Sequence, residues 1–229
     1  MKRKKILTNF ISPSIDYNDS LPLIKKVLAN QIPNEGILTR KFEKLIAEQI
    51  KVKYSIATTS GTMSIFLALK ALKIGNGDEV LIPNITFVAT ANAVKLSGAK
   101  PVLIDIDEQN LLLDIEKLKK KITKKTKAII AVHVSGRGSN IIKLKKIAKK
   151  FKIKLIEDAA EAFASKHENK SLGTFGDIGC FSFSPPKIFT TGQGGAIVTN
   201  NLNLYKEIIK LKNQGRVGKA NGGEDQIDS

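Results

Sequence analysis

The chain has 229 residues, 42% of them hydrophobic, enough for one principal domain with a two-sided core and more than a stapled mini-protein would need. A single cysteine, Cys180, cannot close an intramolecular disulfide, and with only His133 and His167 beside it no ordinary zinc cage can be assembled, a usage that fits a reducing cytoplasm. The net charge of +17 comes almost entirely from lysine, with arginine only at Arg3, Arg40, Arg137 and Arg216, whereas base and phosphate reading favours the arginine fork, so nucleic-acid binding is not expected.

In chain order, a basic start, Met1 to Lys5, runs into Pro13, Asp16 and Asp19 instead of an apolar segment with a cleavage site. No export signal is read there, and residues 1–20 are expected to form an N-terminal arm. Through residues 21–214 apolar runs bounded by turn residues alternate with amphipathic stretches, the pattern of an α/β domain whose mainly parallel sheet is flanked by helices. The spacing predicts helices at Leu21 to Ala29, Lys41 to Ile50 and Thr62 to Leu72, then a strand at Val80 to Ile82 and a helix at Thr90 to Ser97. A strand at Pro101 to Ile106, a helix at Ile115 to Lys121 and a strand at Ala128 to Val132 come next, followed by a helix at Ile142 to Phe151 and a strand at Lys154 to Glu157. Two more strands, Phe181 to Phe183 and Ala196 to Thr199, flank a loop with Pro185 and Pro186, and a last helix spans Asn203 to Asn213.

The lysines of Leu118 to Lys127 and Lys143 to Lys154 fall at the spacings of solvated helix faces, so the charge reads as a soluble surface able to attract an anionic substrate. No apolar run reaches the roughly 18 residues of a membrane-spanning helix, and no membrane partner is expected. After Gly215 the composition shifts to Gly, Asn, Lys and Asp, and residues 215–229 are expected to be a mobile connection.

Three segments could carry chemistry. Thr58-Thr59-Ser60-Gly61-Thr62 opens a helix, where free backbone N–H groups, hydroxyls and a glycine can bind phosphate; an ordinary N-cap explains the same residues. Ile156-Glu157-Asp158-Ala159-Ala160-Glu161 ends a buried strand in carboxylates, so Asp158 meets a ligand at the carboxyl edge of the sheet or else caps a helix. In the segment from Phe181 to Gly195, Lys187 sits within an apolar, hydroxyl- and glycine-rich loop; burial would make it a Schiff-base nucleophile, exposure a plain loop lysine. Lysine, carboxylate and phosphate cradle together are what pyridoxal phosphate requires.

The stretches SGTMSIFLALKAL, GNGDEVLIPNITFVATANAV, GAKPVLIDID, KTKAIIAVHVSGR, IEDAAEAFAS, GTFGDIGCFSFSPPK and TTGQGGAIVTN cover nearly the whole chain. Their content, order and spacing resemble the DegT/DnrJ/EryC1/StrS family of pyridoxal-phosphate-dependent sugar aminotransferases. The resemblance implies the large domain of a fold-type I transferase and the cofactor pyridoxal 5'-phosphate (PLP). It makes Lys187 the lysine that holds the cofactor and shuttles a proton, and Asp158 the partner of the pyridinium nitrogen. Gly61, Thr62 and Ser182 are similar to phosphate-binding positions, Phe87 to the aromatic stacked on the ring, and Ala160 to the residue beneath its other face. Glu161 stands where members vary among glutamate, glutamine and histidine, a neighbour of the cofactor.

Relatives that use the cofactor for dehydration carry histidine at the lysine position, so Lys187 implies transamination, with glutamate as the expected amino-acid donor and a nucleotide-linked keto-sugar, bound for a surface polysaccharide, as acceptor. A homodimer is implied as well. The sequence departs from the family at Val134-Ser135-Gly136-Arg137, where Leu-Tyr-Gly is commoner after His133. The family's smaller C-terminal domain, and an asparagine lent by the partner subunit, are expected beyond Ser229; the shortness leaves open a non-catalytic cofactor- or partner-binding remnant. A nucleotide-binding module is set aside. Gly215-Arg216-Val217-Gly218-Lys219-Ala220 lacks the first glycine of a P-loop, which is Asn213, and its final Ser or Thr; the glycines at 173, 176 and 179 miss the dinucleotide fingerprint.

Overall fold

A computed structural model describes residues 16–29, 35–138, 140–217 and 226–227. Helices α1 (Tyr17–Leu28) and α2 (Ile37–Ile50) lead into β1 (Tyr54–Thr58), α3 (Gly61–Ala71), β2 (Glu79–Pro83), α4 (Val88–Leu96) and β3 (Lys100–Ile104). The chain continues through α5 (Ile115–Lys121), β4 (Thr126–Val132), a 3-10 turn at Val134–Gly136, α6 (Ile141–Phe151) and β5 (Lys154–Asp158). A small hairpin of β6 (Lys166–His167) and β7 (Lys170–Ser171) precedes β8 (Ile178–Ser182), β9 (Gly195–Thr199) and α7 (Leu202–Lys212). Beyond it β10 (Arg216–Val217) pairs antiparallel with β11 (Gln226–Ile227).

Seven strands form one sheet in the order β1-β9-β8-β5-β4-β2-β3. The pairs β8/β5, β5/β4, β4/β2 and β2/β3 are parallel, and only β9 runs antiparallel to its neighbours β8 and β1. A parallel sheet covered on both faces needs strands apolar on both sides, which is why they read as unbroken apolar runs. Alternate residues go to opposite faces. Leu81, Ile129, Leu155 and Phe181 pack with α2 and α6, whereas Val80, Ile82, Ile130, Ile156 and Cys180 pack with α3, α4 and α7. Among the described residues no helix is long and apolar enough to cross a membrane.

Several expected boundaries move. The first helix starts at Tyr17, inside the stretch expected as an arm, because Asp16 caps it and accepts from Asp19 N; residues 1–15 lie outside the described residues. The strand expected to reach Ile106 stops at Ile104, and Ile106 makes only an isolated bridge to Leu113. The strand expected at Phe181 to Phe183 spans Ile178–Ser182 instead. Its start was hidden by Gly179, where an added Cβ would lie 2.0 Å from the Gly173 carbonyl oxygen, so the backbones meet there without room for a side chain. Helix α2 begins at Ile37, not Lys41. Strand β1, an edge strand with polar residues interleaved, carries no unbroken apolar signal of its own.

Candidate active site

The carboxyl ends of β5 and β8 and the N-terminus of α3 meet at one edge of the sheet, where ligands bind in open α/β folds. Strand β8 ends at Ser182, and α3 starts against it. A Cβ on Gly61 would lie 2.8 Å from Ser182 Cβ, and one on Gly195 would lie 2.6 Å from the Ser60 carbonyl carbon, so two glycines permit this approach. Ser60 is the N-cap of α3, its hydroxyl accepting from Met63 N at 3.2 Å. The ordinary capping reading therefore holds for Ser60, while Gly61 and Thr62 occupy the first two helical positions, whose N–H groups have no acceptor within their own helix. Those N–H groups and the Ser182 hydroxyl beside Gly61 make the corner chemically suited to an anion.

Asp158 closes β5 and is 6% exposed. Its Oδ2 accepts from Thr90 Oγ1 at 2.7 Å and its Oδ1 from Ala160 N at 3.2 Å. The residues after it form a turn, not an α-helix, which corrects the helix-cap alternative. Burial pushes the Asp158 carboxyl above the usual carboxylate range, outweighing the opposing pull of Thr90, of Ala160 N–H and of the charges on His133 and Lys187. A carboxylate held at such a cost is suited to a cation brought to it.

Lys187 lies in the loop between β8 and β9. Phe183 and Phe189 stack with ring centroids 4.6 Å apart and pin the loop to the core, while Phe183 O accepts from Thr191 N and Thr190 Oγ1. The lysine between them is drawn inward, its side chain 17% exposed and its Nζ 3.7 Å from Glu161 Oε1, so it is not a plain surface lysine. Glu161 is half-exposed and accepts from Ser135 N through Oε2 at 2.9 Å. Ala160 is partly buried beside Asp158. Phe87 stands at the N-cap of α4, 75% exposed, with its ring in solvent.

Of the expected site residues, Gly61 and Ser182 are in contact, Asp158 and Ala160 share a hydrogen bond, and Lys187 and Glu161 face each other. Phe87 joins none of these contacts. Three residues in the site's neighbourhood had no role in the sequence reading. Fully buried Thr90, one turn into the helix that Phe87 caps, is the direct partner of Asp158. His133 and Glu157 form a buried pair, Nε2 to Oε2 at 2.8 Å, directly behind it. A hydroxyl one turn after the expected aromatic was the available signal for Thr90; the pairing of His133 with Glu157 depends on the register of β4 against β5.

The sequence profile of the DegT/DnrJ/EryC1/StrS aminotransferase family matches residues 15–226. This chain belongs to that family. It is 43% identical over 184 residues to the GDP-perosamine synthase of Escherichia coli O157:H7, an alignment covering 80% of this chain and 50% of the relative. The aminotransferase of Psychrobacter cryohalolentis superposes with a TM-score of 0.86 at 34% identity, over 93% of this chain and 57% of that one. A Streptococcus pneumoniae protein assigned as a sugar aminotransferase superposes in its PLP form with a TM-score of 0.89 at 26% identity, over 97% of this chain and 61% of that one. The chain thus spans about half the length of the curated relatives it matches. The fold is that of the large domain of PLP-dependent sugar aminotransferases, and structures of the family hold PLP.

Proposed function

We propose that the protein is the cofactor-binding part of an aminotransferase that uses pyridoxal 5'-phosphate to move an amino group from an amino-acid donor, glutamate, to a nucleotide-linked keto-sugar. The observation that carries the reading is Asp158, a carboxylate buried at the carboxyl edge of the sheet with its pKa pushed up by desolvation. A protonated ring nitrogen is the cation that this carboxylate would hold, and Thr90 and Ala160 N–H keep it oriented. Gly61 and Thr62 N–H groups and the Ser182 hydroxyl would hold the phosphate, with the close approach that Gly61 allows. Phe87 and Ala160 would flank the ring, and Lys187 would hold its aldehyde. The residues present therefore fit this cofactor.

When bound, the pyridinium ring supplies an electron sink that weakens the C–H bond at the donor's α-carbon. Asp158 keeps that ring nitrogen protonated. Lys187 Nζ, as the free amine, would take the proton from the donor's α-carbon and deliver it to the carbon of the cofactor's former aldehyde, with Glu161 Oε1 facing it at 3.7 Å. A nucleotide-sugar acceptor is supported by the similarity to GDP-perosamine synthase. A homodimer working in the cytoplasm is the assembly the resemblance favours; the exposure of Ile85, Phe87, Val88 and Ile188 near the site leaves apolar surface for a partner subunit.

The test is the visible spectrum of the chain purified with PLP, before and after glutamate, beside Lys187→Ala. The expected result is a yellow protein that glutamate bleaches and whose cofactor borohydride fixes to the chain, and a variant in which borohydride fixes none. A colourless wild-type protein, or a Lys187→Ala variant in which borohydride still fixes one cofactor per chain to the protein, contradicts the reading.

A further inference from the structure

His133 and Glu157 are buried, with side chains 2% and 0% exposed, and the chemistry above uses neither. Glu157 Oε1 accepts from the backbone N–H groups of Phe175 and Gly176, both at 2.6 Å, and Oε2 accepts from Gly173 N at 2.8 Å and lies 2.8 Å from His133 Nε2. The other ring nitrogen, Nδ1, is 3.0 Å from the Arg137 carbonyl oxygen. A carbonyl only accepts, so Nδ1 carries a proton and donates it. That bond closes the segment from His133 to Arg137 into a ring.

Within the ring, Ser135 sits in the left-handed region at φ 51°, an unusual conformation for a residue with a side chain that neighbouring contacts must enforce. The conformation aims Ser135 N–H at Glu161 Oε2, 2.9 Å away, while Oε1 of the same carboxylate faces Lys187 Nζ. Gly136, also left-handed, packs so closely that a Cβ there would lie 2.8 Å from Ser165 Oγ. The loop is thus seated on the turn that carries Glu161.

We propose that His133 is a positioning residue with two separable contacts. Through Nε2 it ties the loop's base to Glu157 and the core; through Nδ1 it holds Ser135 in the form that fixes Glu161 opposite Lys187. Its relevance to catalysis rests on Lys187 being the cofactor-binding lysine proposed above, whereas the contacts themselves do not.

Two variants separate the contacts. Glutamine at 133 carries an amide nitrogen near the place of Nε2, and asparagine carries one near the place of Nδ1. For each, the measurements are the melting temperature, hydrogen exchange of the Ser135 amide in the protein without cofactor, and the rate at which Lys187 captures added PLP, trapped with borohydride. His133→Gln is expected to keep most of the melting temperature, to speed Ser135 exchange about tenfold or more and to slow capture. His133→Asn is expected to lower the melting temperature while leaving Ser135 protected. Ser135 exchange unchanged in His133→Gln, or equally fast in both variants, would overturn the proposal. If wild-type Lys187 captures no PLP, the proposed function fails, and the exchange comparison still decides the role of His133.

Discussion

Asp158 is the buried carboxyl on which the proposed cofactor reading turns. Its carboxyl is raised in the folded protein, so the folded state binds the proton more tightly than the unfolded chain does, whose carboxyl titrates near about 3.9. The stability this group contributes is present below that unfolded value and is lost as pH rises through the raised, folded one. Asparagine in its place keeps a partner for Thr90 and an acceptor for Ala160 N–H without the buried charge. Without cofactor, Asp158→Asn should therefore melt above wild type at pH 7, with the gap closing as pH falls toward the carboxylate range. With cofactor the order reverses, and retention of PLP should drop by about tenfold or more, since an ion pair in a low-dielectric site is lost. A cofactor-free variant melting below wild type at pH 7 would mean that other groups already satisfy the carboxylate.

At the scale of elements, the junction of α3 with β8 depends on the missing side chain of Gly61. Alanine is the better helix former, yet its Cβ at 2.8 Å from Ser182 Cβ would push the helix start away from the strand. Gly61→Ala should cost about 1–3 kcal/mol, read as a lower melting temperature, together with loss of PLP retention. Adding Ser182→Gly should recover part of the stability but not the retention, because the hydroxyl is gone with the clash; no recovery would show that the strain lies elsewhere. This junction was partly legible in the sequence, since a hydroxyl-glycine cluster before a helix is a local signal, whereas Ser182 entered only through the family resemblance. The continuous apolar runs of β2, β4 and β5 were legible too, because a sheet covered on both faces demands them. What escaped depends on pairing between distant segments. The start of β8 hides behind Gly179, and the edge strand β1 mixes polar and apolar residues without an unbroken apolar run. The Glu157 contacts require the backbone of residues 173–176 to fold under β5.

For the whole molecule, one mixed sheet with helices on both faces brings segments from β1 to β9 to a single edge, which is why residues 61, 90, 158, 182 and 187 can serve the one proposed site. The surrounding surface is dense in lysine: the chain holds 38 lysines and arginines, of which four are arginine. Any of these lysines could react weakly with an aldehyde, and what distinguishes Lys187 is its place between two anchored phenylalanines, opposite Glu161; Lys212 is less exposed still, but it is paired with Glu35 and Glu43. The most direct measurement is to incubate the protein with PLP, reduce with borohydride, digest and map the modified lysine. One stoichiometric modification on the peptide containing Lys187, lost in Asp158→Asn at limiting cofactor, is the predicted result; modification scattered over the surface lysines with none at Lys187 would contradict it.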